Sequence, residues 1–225
     1  MRLIEETIAL IAPHRCLICS STGSLLCDAC RTSSLLEEPA KCYRCHVSSR
    51  QSAVCKACRK TVRLNRVWIC TGYDGPAKEL IYKLKFQRAK AGAKNIAVVM
   101  DHLLPDIPED VIICHVPTAS ARVRQRGYDQ SELIARHLAR KRKLPQKVLL
   151  RRFGKSRQVG SGRRERFEHL KKALKVRPRT ITGGEHVLLI DDITTTGATL
   201  EAAANVIRKA GAKTVDAIVF AQPQS

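Results

Sequence analysis

Aromatic residues are scarce in this chain of 225 residues: they make up 4% of it, with a single tryptophan. A hydrophobic core must therefore be built mainly from isoleucine, valine, leucine and alanine. Apolar residues still amount to 44%, which is enough for a packed core and argues against wholesale disorder. The length allows one ordinary domain with a small appendage, or two small domains.

Signals for secretion and for membrane insertion are also lacking. The opening MRLIEETIALIAP contains an apolar run too short for the core of a signal peptide, with Glu5 and Glu6 before it and Pro13 after it. No stretch approaches the roughly 18–20 apolar residues that a transmembrane helix needs. We therefore expect a cytoplasmic protein without membrane insertion.

Acidic residues are half as frequent as basic ones, 20 against 41, so the net charge is +21. Residues 111–180, which we call the basic segment, hold 21 basic and 4 acidic side chains. Such a concentration of positive charge indicates a polyanionic partner or a highly phosphorylated ligand. The alternative is a solvated charged surface without a partner.

Eight of the ten cysteines form four CxxC pairs, and two such pairs can complete a tetrahedron of thiolates around zinc. Disulfides would need an oxidising compartment. A thioredoxin-like CxxC normally occurs once, beside a βαβ pattern. The string CYRCH matches c-type haem attachment but leaves the other pairs unexplained. The predicted metal ligands are Cys16, Cys19, Cys27, Cys30, Cys42, Cys45, Cys55 and Cys58.

We expect the pairs to group in sequence order around two structural zinc ions, with interleaved grouping as the alternative. The first sixty residues have few large apolar side chains, so metal ligation must supply folding free energy, on the order of 10 kcal/mol per site. We accordingly predict a cysteine-rich zinc-ribbon module over residues 1–62 and an α/β domain over residues 63–225.

Beyond the cysteine pairs, short β-rich runs alternate with longer helical stretches, which predicts a doubly wound α/β fold. Near-continuous apolar runs suit strands of a parallel sheet buried on both faces, and Cys70 and Cys114 fall inside two of them. Residues 152–180 are expected to form a mobile basic loop followed by a short helix over 165–174. The predicted strands are 67–73, 111–117, 148–152, 187–192 and 215–220, and the predicted helices are 76–86, 94–104, 129–142 and 198–210.

The most informative stretch is VLLIDDITTTGATLEAA (187–203), in which a strand ends in two carboxylates and a Thr/Gly turn precedes a helix. Ligands of open α/β sheets bind at the carboxyl ends of strands, and such a turn can present N–H groups to a phosphate. The GxxxxGK[ST] motif of P-loop ATPases is absent. Alternatively, the two acids only cap a helix. The predicted phosphate-binding residues are Thr194, Thr195, Thr196, Gly197, Ala198 and Thr199.

This stretch resembles the signature of type I phosphoribosyltransferases. The resemblance implies that the loop holds the 5′-phosphate of phosphoribosyl pyrophosphate and that Asp191 and Asp192, the predicted catalytic residues, bind the ribose hydroxyls. Carboxylates at this place would stabilise an oxocarbenium-like transition state. Magnesium would balance the charge of the pyrophosphate.

A second motif, HVPTASARVRQRGYDQSELIA (115–135), follows a predicted strand with a basic turn. Guanidinium groups match phosphate oxygens in geometry, so this turn and the basic loop could surround a pyrophosphate or a DNA backbone. Candidate stacking platforms for bases are Tyr128, Phe153 and Phe167. The predicted pyrophosphate- or DNA-binding residues are Pro117, Thr118, Arg122, Arg124, Arg126, Lys155 and Arg157.

Together with the CxxC pairs and DDITTTGAT, this motif resembles the ComF family of competence proteins over nearly the whole chain. Gln158 and Arg166 match recurrent family residues, whereas Tyr128, Asp129 and His169 stand where Phe, Asn and Asn are usual. The resemblance implies a role in natural transformation, in which the protein handles incoming single-stranded DNA beside a helicase-like ATPase of the uptake machinery.

Two functions remain open. The first is a nucleic-acid-handling protein that binds phosphoribosyl pyrophosphate or a related sugar phosphate. The second is an active phosphoribosyltransferase that transfers phosphoribose to a nucleobase or another amine. The tail VDAIVFAQPQS offers little for recognition of a base, which favours the first.

Overall fold

The computed structural model describes residues 13–34, 40–153 and 173–223. None of the helices in these ranges is long and apolar enough to cross a membrane. Along the chain the elements are α1 (Asp28–Ser34), a 3-10 helix (Arg50–Ser52), α2 (Lys56–Arg59), β1 (Val67–Gly72), α3 (Gly75–Phe86), α4 (Ala91–Leu103), β2 (Ile112–His115), α5 (Ser120–Arg126), α6 (Gln130–Arg142), β3 (Leu150–Arg152), β4 (Leu174–Val176), β5 (His186–Ile193), α7 (Ala198–Lys209) and β6 (Thr214–Gln222).

The central sheet is parallel, with the strand order β1-β6-β5-β2. Its apolar runs produce strands that are buried on both faces, because alternate side chains enter two separate hydrophobic clusters. On β5, for example, Leu188 and Ile190 join one cluster, and Val187 and Leu189 join the other. The predicted doubly wound α/β fold is confirmed. So is the burial of Cys70 and Cys114 on β1 and β2.

Helices cover both faces of this sheet. On one face α4 and α6 contribute Ile96, Met100 and Ile134 to the cluster that contains Phe220. On the other face α7 contributes Leu200 and Ile207. The four predicted helices are all present, with ends within three residues of the predicted ones, because each has apolar residues at helical spacing.

The predicted strand over 148–152 does not join the parallel sheet. Residues Leu150–Arg152 form β3, which pairs antiparallel with β4 in a separate two-stranded sheet. Only Leu150 of the three is buried, whereas a strand inside the central sheet would be buried on both faces. Residues 154–172, which include most of the predicted basic loop and helix, lie outside the described residues, and Leu174 begins β4 instead of ending a helix.

The N-terminal residues form two cysteine modules with the same backbone plan. In the first module (residues 13–34) an antiparallel bridge between Arg15 and Thr22 closes a CxxC turn, and the second CxxC pair leads into α1. The second module (residues 40–62) repeats this with a bridge between Lys41 and Ser48 and with α2. The two modules are therefore structural repeats, although the interval between their CxxC pairs differs, with residues 20–26 in the first module and residues 46–54 in the second.

Each cysteine module packs on a different face of the α/β sheet. Leu25 and Leu26 of the first module enter the cluster beneath α4, and Asn95 of α4 donates a hydrogen bond to the Leu26 carbonyl at 2.9 Å. Tyr43 and Val54 of the second module enter the cluster beneath α7. A domain boundary at residues 62/63 stays a prediction.

Candidate functional site

The eight cysteines of the CxxC pairs form two clusters in sequence order, so the alternative of interleaved grouping is wrong. Within each cluster all four sulfur atoms lie within 4.8 Å of one another. Cys19 and Cys27 bring their Sγ atoms to 3.6 Å, as do Cys45 and Cys55. A tetrahedron with zinc–sulfur bonds of about 2.3 Å has sulfur atoms about 3.8 Å apart. Both clusters therefore have the dimensions to hold a zinc ion.

The pKa values of the cysteine thiols are shifted within each cluster. Burial opposes ionisation of Cys16 and Cys42, but hydrogen bonds from backbone N–H groups outweigh it and lower both pKa values to about 6. By contrast, the interaction with Cys19, followed by burial, raises the pKa of Cys30 to about 12. Burial and the neighbouring Cys45 raise the pKa of Cys58 to about 12. A bound divalent cation would favour the thiolate form of all four ligands.

We expect two zinc ions per chain. A Cys16→Ser/Cys19→Ser variant and a Cys42→Ser/Cys45→Ser variant should each retain one ion, which native mass spectrometry would count. Cys114→Ala provides the control, because Cys114 is a buried cysteine outside both clusters and its loss should leave two ions. A zinc-supplied wild-type protein with fewer than two ions would contradict the prediction.

The two acidic residues of the DD motif lie at the carboxyl end of β5. Asp191 accepts hydrogen bonds through Oδ1 from the Ser131 hydroxyl at 3.1 Å and from the Asp192 N–H at 2.9 Å. Asp192 is buried, and its Oδ2 lies 2.6 Å from Nζ of Lys85. Lys85 thus neutralises Asp192, while the half-buried Asp191 is the more accessible carboxylate.

The pKa of Asp191 is shifted by burial and by the charges around it. Burial and the neighbouring Asp192 carboxylate raise the pKa of Asp191 well above its ordinary value, although Lys85 and the hydrogen bonds to Asp191 act in the opposite direction. The site therefore disfavours a bare negative charge on Asp191. A cation, or a hydroxyl that donates a hydrogen bond to the carboxylate, would relieve this cost.

Four of the six predicted phosphate-binding residues lie in the loop from β5 to α7, and the other two, Ala198 and Thr199, begin α7. Gly197 directly precedes α7 with a left-handed φ of 74°, and it offers no side-chain cap to the first turn of the helix. The first N–H groups of α7 are therefore at the positive end of the helix dipole and have no helical acceptor. Thr195 and Thr196 are exposed, whereas Thr194 is buried and donates its N–H to the Ala221 carbonyl at 3.1 Å. Residues 195–199, which we call the cradle, thus combine two exposed threonines with the N-terminal end of a helix.

The second cysteine module contacts this loop. A Cβ atom added to Gly197 would lie 2.5 Å from Cε2 of Tyr43, so the Tyr43 ring packs directly against the glycine. The Tyr43 hydroxyl donates to Glu201 Oε1 at 2.9 Å, and Arg44 lies 3.8 Å from the same carboxylate. Glu201 is in the first turn of α7, where a negative charge would weaken anion binding. Tyr43 and Arg44 hold that charge against the cysteine module.

The predicted basic turn is instead a helix, α5, which ends at Gly127 in the left-handed conformation. Alternate residues of a helix point in nearly opposite directions, so Arg124 cannot converge with Arg122 and Arg126 on one ligand. Arg122 and Arg124 are exposed. Arg126 is buried and donates to Gln130 Oε1 at 2.7 Å, and its guanidinium is close enough to Asp192 to interact with it electrostatically.

Asp129, where the ComF resemblance leads one to expect Asn, is the N-cap of α6. It accepts hydrogen bonds from Ser131 N–H at 3.0 Å and from the N–H and hydroxyl of Thr118 at 2.7 and 3.0 Å. The carboxylate thereby fixes the turn of Pro117 and Thr118 to the start of α6. Outside the described residues lie Lys155, Arg157, Gln158, Arg166, Phe167 and His169.

The neighbours of the site that were not among the predicted residues include Lys85, Ser131, Tyr43, Arg44 and Glu201. Lys85 lies at the end of an amphipathic helix and Tyr43 inside a CxxC pair, so each had a local explanation in the sequence. One earlier prediction is wrong: Tyr128 is buried, with its hydroxyl donating to the Leu84 carbonyl, and cannot act as an exposed stacking platform.

The chain is similar to several known proteins. Residues 116–225 match the model of the phosphoribosyl transferase domain. A DNA utilization protein, YhgH of Salmonella typhi, is 26% identical over 220 residues, which cover 92% of this chain and 96% of that protein. The competence protein ComFC of Bacillus subtilis is 25% identical over 197 residues, which cover 83% and 79%. A solved adenine phosphoribosyltransferase from Thermoanaerobacter pseudethanolicus is 14% identical, with a TM-score of 0.40 over 60% of this chain and 83% of its own.

The parallel sheet and the match of residues 116–225 thus define an α/β fold of the type I phosphoribosyltransferase kind. Its relatives extend over the cysteine modules as well and include DNA utilization and competence proteins. The resemblance to the ComF family is confirmed.

Proposed function

We propose that this protein binds phosphoribosyl pyrophosphate with magnesium and acts in the cytoplasm in DNA uptake, where it handles incoming single-stranded DNA. The ligand part rests on one observation: Asp191 and Asp192 lie at the carboxyl end of β5, and the N-terminus of α7 follows directly after Gly197. The names of the relatives, DNA utilization and competence proteins, support the DNA part.

In this proposal different residues bind different parts of the ligand. The cradle of residues 195–199 takes the 5′-phosphate, and Asp191 accepts hydrogen bonds from the ribose hydroxyls. Arg126, whose guanidinium interacts electrostatically with Asp192 at the same end of β5, supplies positive charge for the pyrophosphate. The two carboxylates also suit magnesium, which prefers oxygen ligands and would balance the charge of the pyrophosphate when bound. Asp191 is the carboxylate available to the metal, because Lys85 already neutralises Asp192.

The charge distribution supports a DNA partner. The basic segment contributes exposed arginines on α5, and the last turn of α6 carries the exposed Arg140 and Lys141. Neutralising about six phosphates of a single strand would give a log–log salt slope of about −4. Delivery of the strand by a helicase-like ATPase of the uptake machinery belongs to the same proposal.

Titration calorimetry with phosphoribosyl pyrophosphate and magnesium tests the ligand site. We expect binding by the wild type and at least a tenfold weaker affinity for Asp191→Asn, because a neutral amide loses the charge that hydroxyls and magnesium require. Asp110→Asn makes the same chemical change in an exposed loop away from β5 and serves as the control. Absence of binding by the folded, zinc-loaded wild type would overturn the proposal.

The alternative is an active phosphoribosyltransferase, and the acidic pair favours it to the extent that carboxylates could stabilise an oxocarbenium-like transition state. Binding alone does not distinguish the two. Release of pyrophosphate on addition of a nucleobase or another amine would establish a transferase.

A further inference from the structure

We infer that the exposed aromatic pair Tyr82 and Phe86 on α3, which we call the aromatic pair, is a stacking platform for the bases of single-stranded DNA. This inference rests on the DNA-handling part of the proposed function and deepens it. The phosphoribosyl pyrophosphate site plays no part in it.

The exposure of these rings is unusual for this chain. Tyr82 is 47% exposed and Phe86 is 63% exposed, whereas Trp68, Tyr43 and Phe220 are at most 4% exposed. In a protein with nine aromatic residues, two adjacent rings are thus directed away from the core. Such exposed apolar groups mark interaction sites when they lie side by side.

The two rings are held in one orientation by the helix. They lie one turn apart on α3, and their centroids are 5.2 Å apart with planes inclined at 41°. A helix side places successive aromatic residues at a fixed spacing, so little conformational entropy is lost when a base stacks on them. The pair is therefore preorganised.

Positive charge flanks the aromatic pair at both ends. The guanidinium of Arg126 lies 5.3 Å from the centroid of the Phe86 ring. Arg122, one turn earlier on α5, is exposed, and Lys78 is exposed one turn before Tyr82. The nearby acids are already paired, Glu79 with Lys83 and Asp192 with Lys85. Aromatic surfaces between phosphate-binding cations are the combination by which proteins hold single strands.

The combination of exposed rings and cations favours a single strand over a duplex. A duplex keeps the faces of its bases stacked inside the helix, so it could use the cations but not the rings. A single strand can place a base on Phe86 or Tyr82 while its phosphates pass the exposed Arg122 and Lys78. Because Lys85 of the same helix pairs with Asp192, a strand bound to these rings would lie beside the carboxyl end of β5.

Fluorescence anisotropy with a labelled oligothymidylate single strand tests the inference. We expect Phe86→Leu and Tyr82→Leu each to weaken binding about tenfold, because base–aromatic stacking is lost while apolar volume remains. The salt slope should stay unchanged in both, whereas Arg122→Gln should lower its magnitude by about 0.7, since one phosphate contact is lost. Phe86→Trp should retain wild-type affinity or exceed it.

Phe153→Leu is the comparison variant, because Phe153 is the other exposed ring among the described residues and was predicted from the sequence as a stacking platform. Phe153 is 50% exposed and has Lys175 at 5.6 Å from its ring, but it lies beside β3 and away from the acidic pair. Because both rings of the aromatic pair are at the surface, folding of the leucine variants should be intact, and the fluorescence of the single, buried Trp68 would verify it.

The outcomes separate the inference from the proposed function. If the wild type binds the strand and Phe86→Leu and Tyr82→Leu bind equally well, the platform is wrong and DNA handling stands. Loss of binding in Phe153→Leu alone, or displacement of the strand by an equal concentration of thymidine monophosphate, would also overturn the platform. A wild type that does not bind the strand would overturn DNA handling itself, and the platform with it.

Discussion

Asp191→Asn is expected to stabilise the folded protein, and Asp192→Asn is expected to destabilise it, although the two residues are adjacent and chemically identical. Burial and the Asp192 carboxylate raise the pKa of Asp191 in the folded state. The free energy of unfolding therefore falls as pH rises from the unfolded-state pKa through the raised one, and the full cost is present above that range. Asparagine removes this cost and keeps an oxygen that can accept from Ser131.

Asp192→Asn has the opposite effect because Asp192 is one partner of a buried ion pair. Its loss leaves the ammonium of Lys85, whose side chain is 16% exposed, without the carboxylate 2.6 Å away. Breaking a buried pair from one side costs about 3 kcal/mol or more. Lys85→Met in the same background should recover part of that loss, since the uncompensated charge is then removed as well.

Chemical denaturation at neutral pH, followed by the fluorescence of Trp68, would measure both changes. The advantage of Asp191→Asn should disappear below about pH 3.9, where the carboxyl is protonated in the folded and the unfolded state. If both substitutions change the free energy of unfolding in the same direction at neutral pH, the predicted difference between the two carboxylates is wrong. A stabilised Asp191→Asn protein with weakened ligand binding would mark Asp191 as a residue kept for function at a cost in stability.

Much of the fold could be predicted from local patterns. The strands and helices of the central sheet followed from apolar runs and helical spacing, and the grouping of the thiols followed from CxxC spacing. These signals are local because neighbouring residues share a periodicity or a metal. The error at α5 arose where three arginines at alternate positions suggested a turn, although Gly127 then serves as an ordinary helix end.

The arrangement of the site could not be predicted in the same way. Lys85 and Asp192 are more than one hundred residues apart, and so are Tyr43 and Glu201. Each member of these pairs has a sufficient local role as a helix residue, a strand end or part of a CxxC turn. Only the packing of α3 across the end of β5, and of the second cysteine module against α7, brings them together.

Through that packing the second cysteine module supports the loop between β5 and α7. Tyr43 follows Cys42 directly, and its ring and hydroxyl contact Gly197 and Glu201. The ring is buried in the same hydrophobic cluster as Leu200 of α7. A metal ion that fixes Cys42 would therefore also fix the surface on which the loop rests.

Gly197→Ala is expected to destabilise the protein by about 2–5 kcal/mol, the sum of the left-handed backbone cost and the overpacking cost. Its φ is 74°, and the new Cβ would lie 2.5 Å from Cε2 of Tyr43. Either the ring or the loop must shift, and the Tyr43–Glu201 hydrogen bond, 2.9 Å long, is lost if the ring moves. We also expect at least tenfold weaker affinity for phosphoribosyl pyrophosphate, because the cradle is displaced.

Gly127→Ala separates the two causes of this loss. Gly127 has a similar φ of 83°, but a Cβ added there would meet nothing within 4 Å, so that variant bears only the backbone cost. The difference in unfolding free energy between the two alanine variants then measures the contact with Tyr43. Adding Tyr43→Ala to Gly197→Ala should cost less than the sum of the single changes, since the smaller side chain removes the clash. Additive losses, or equal losses at Gly127 and Gly197, would show that the cysteine module does not support the loop.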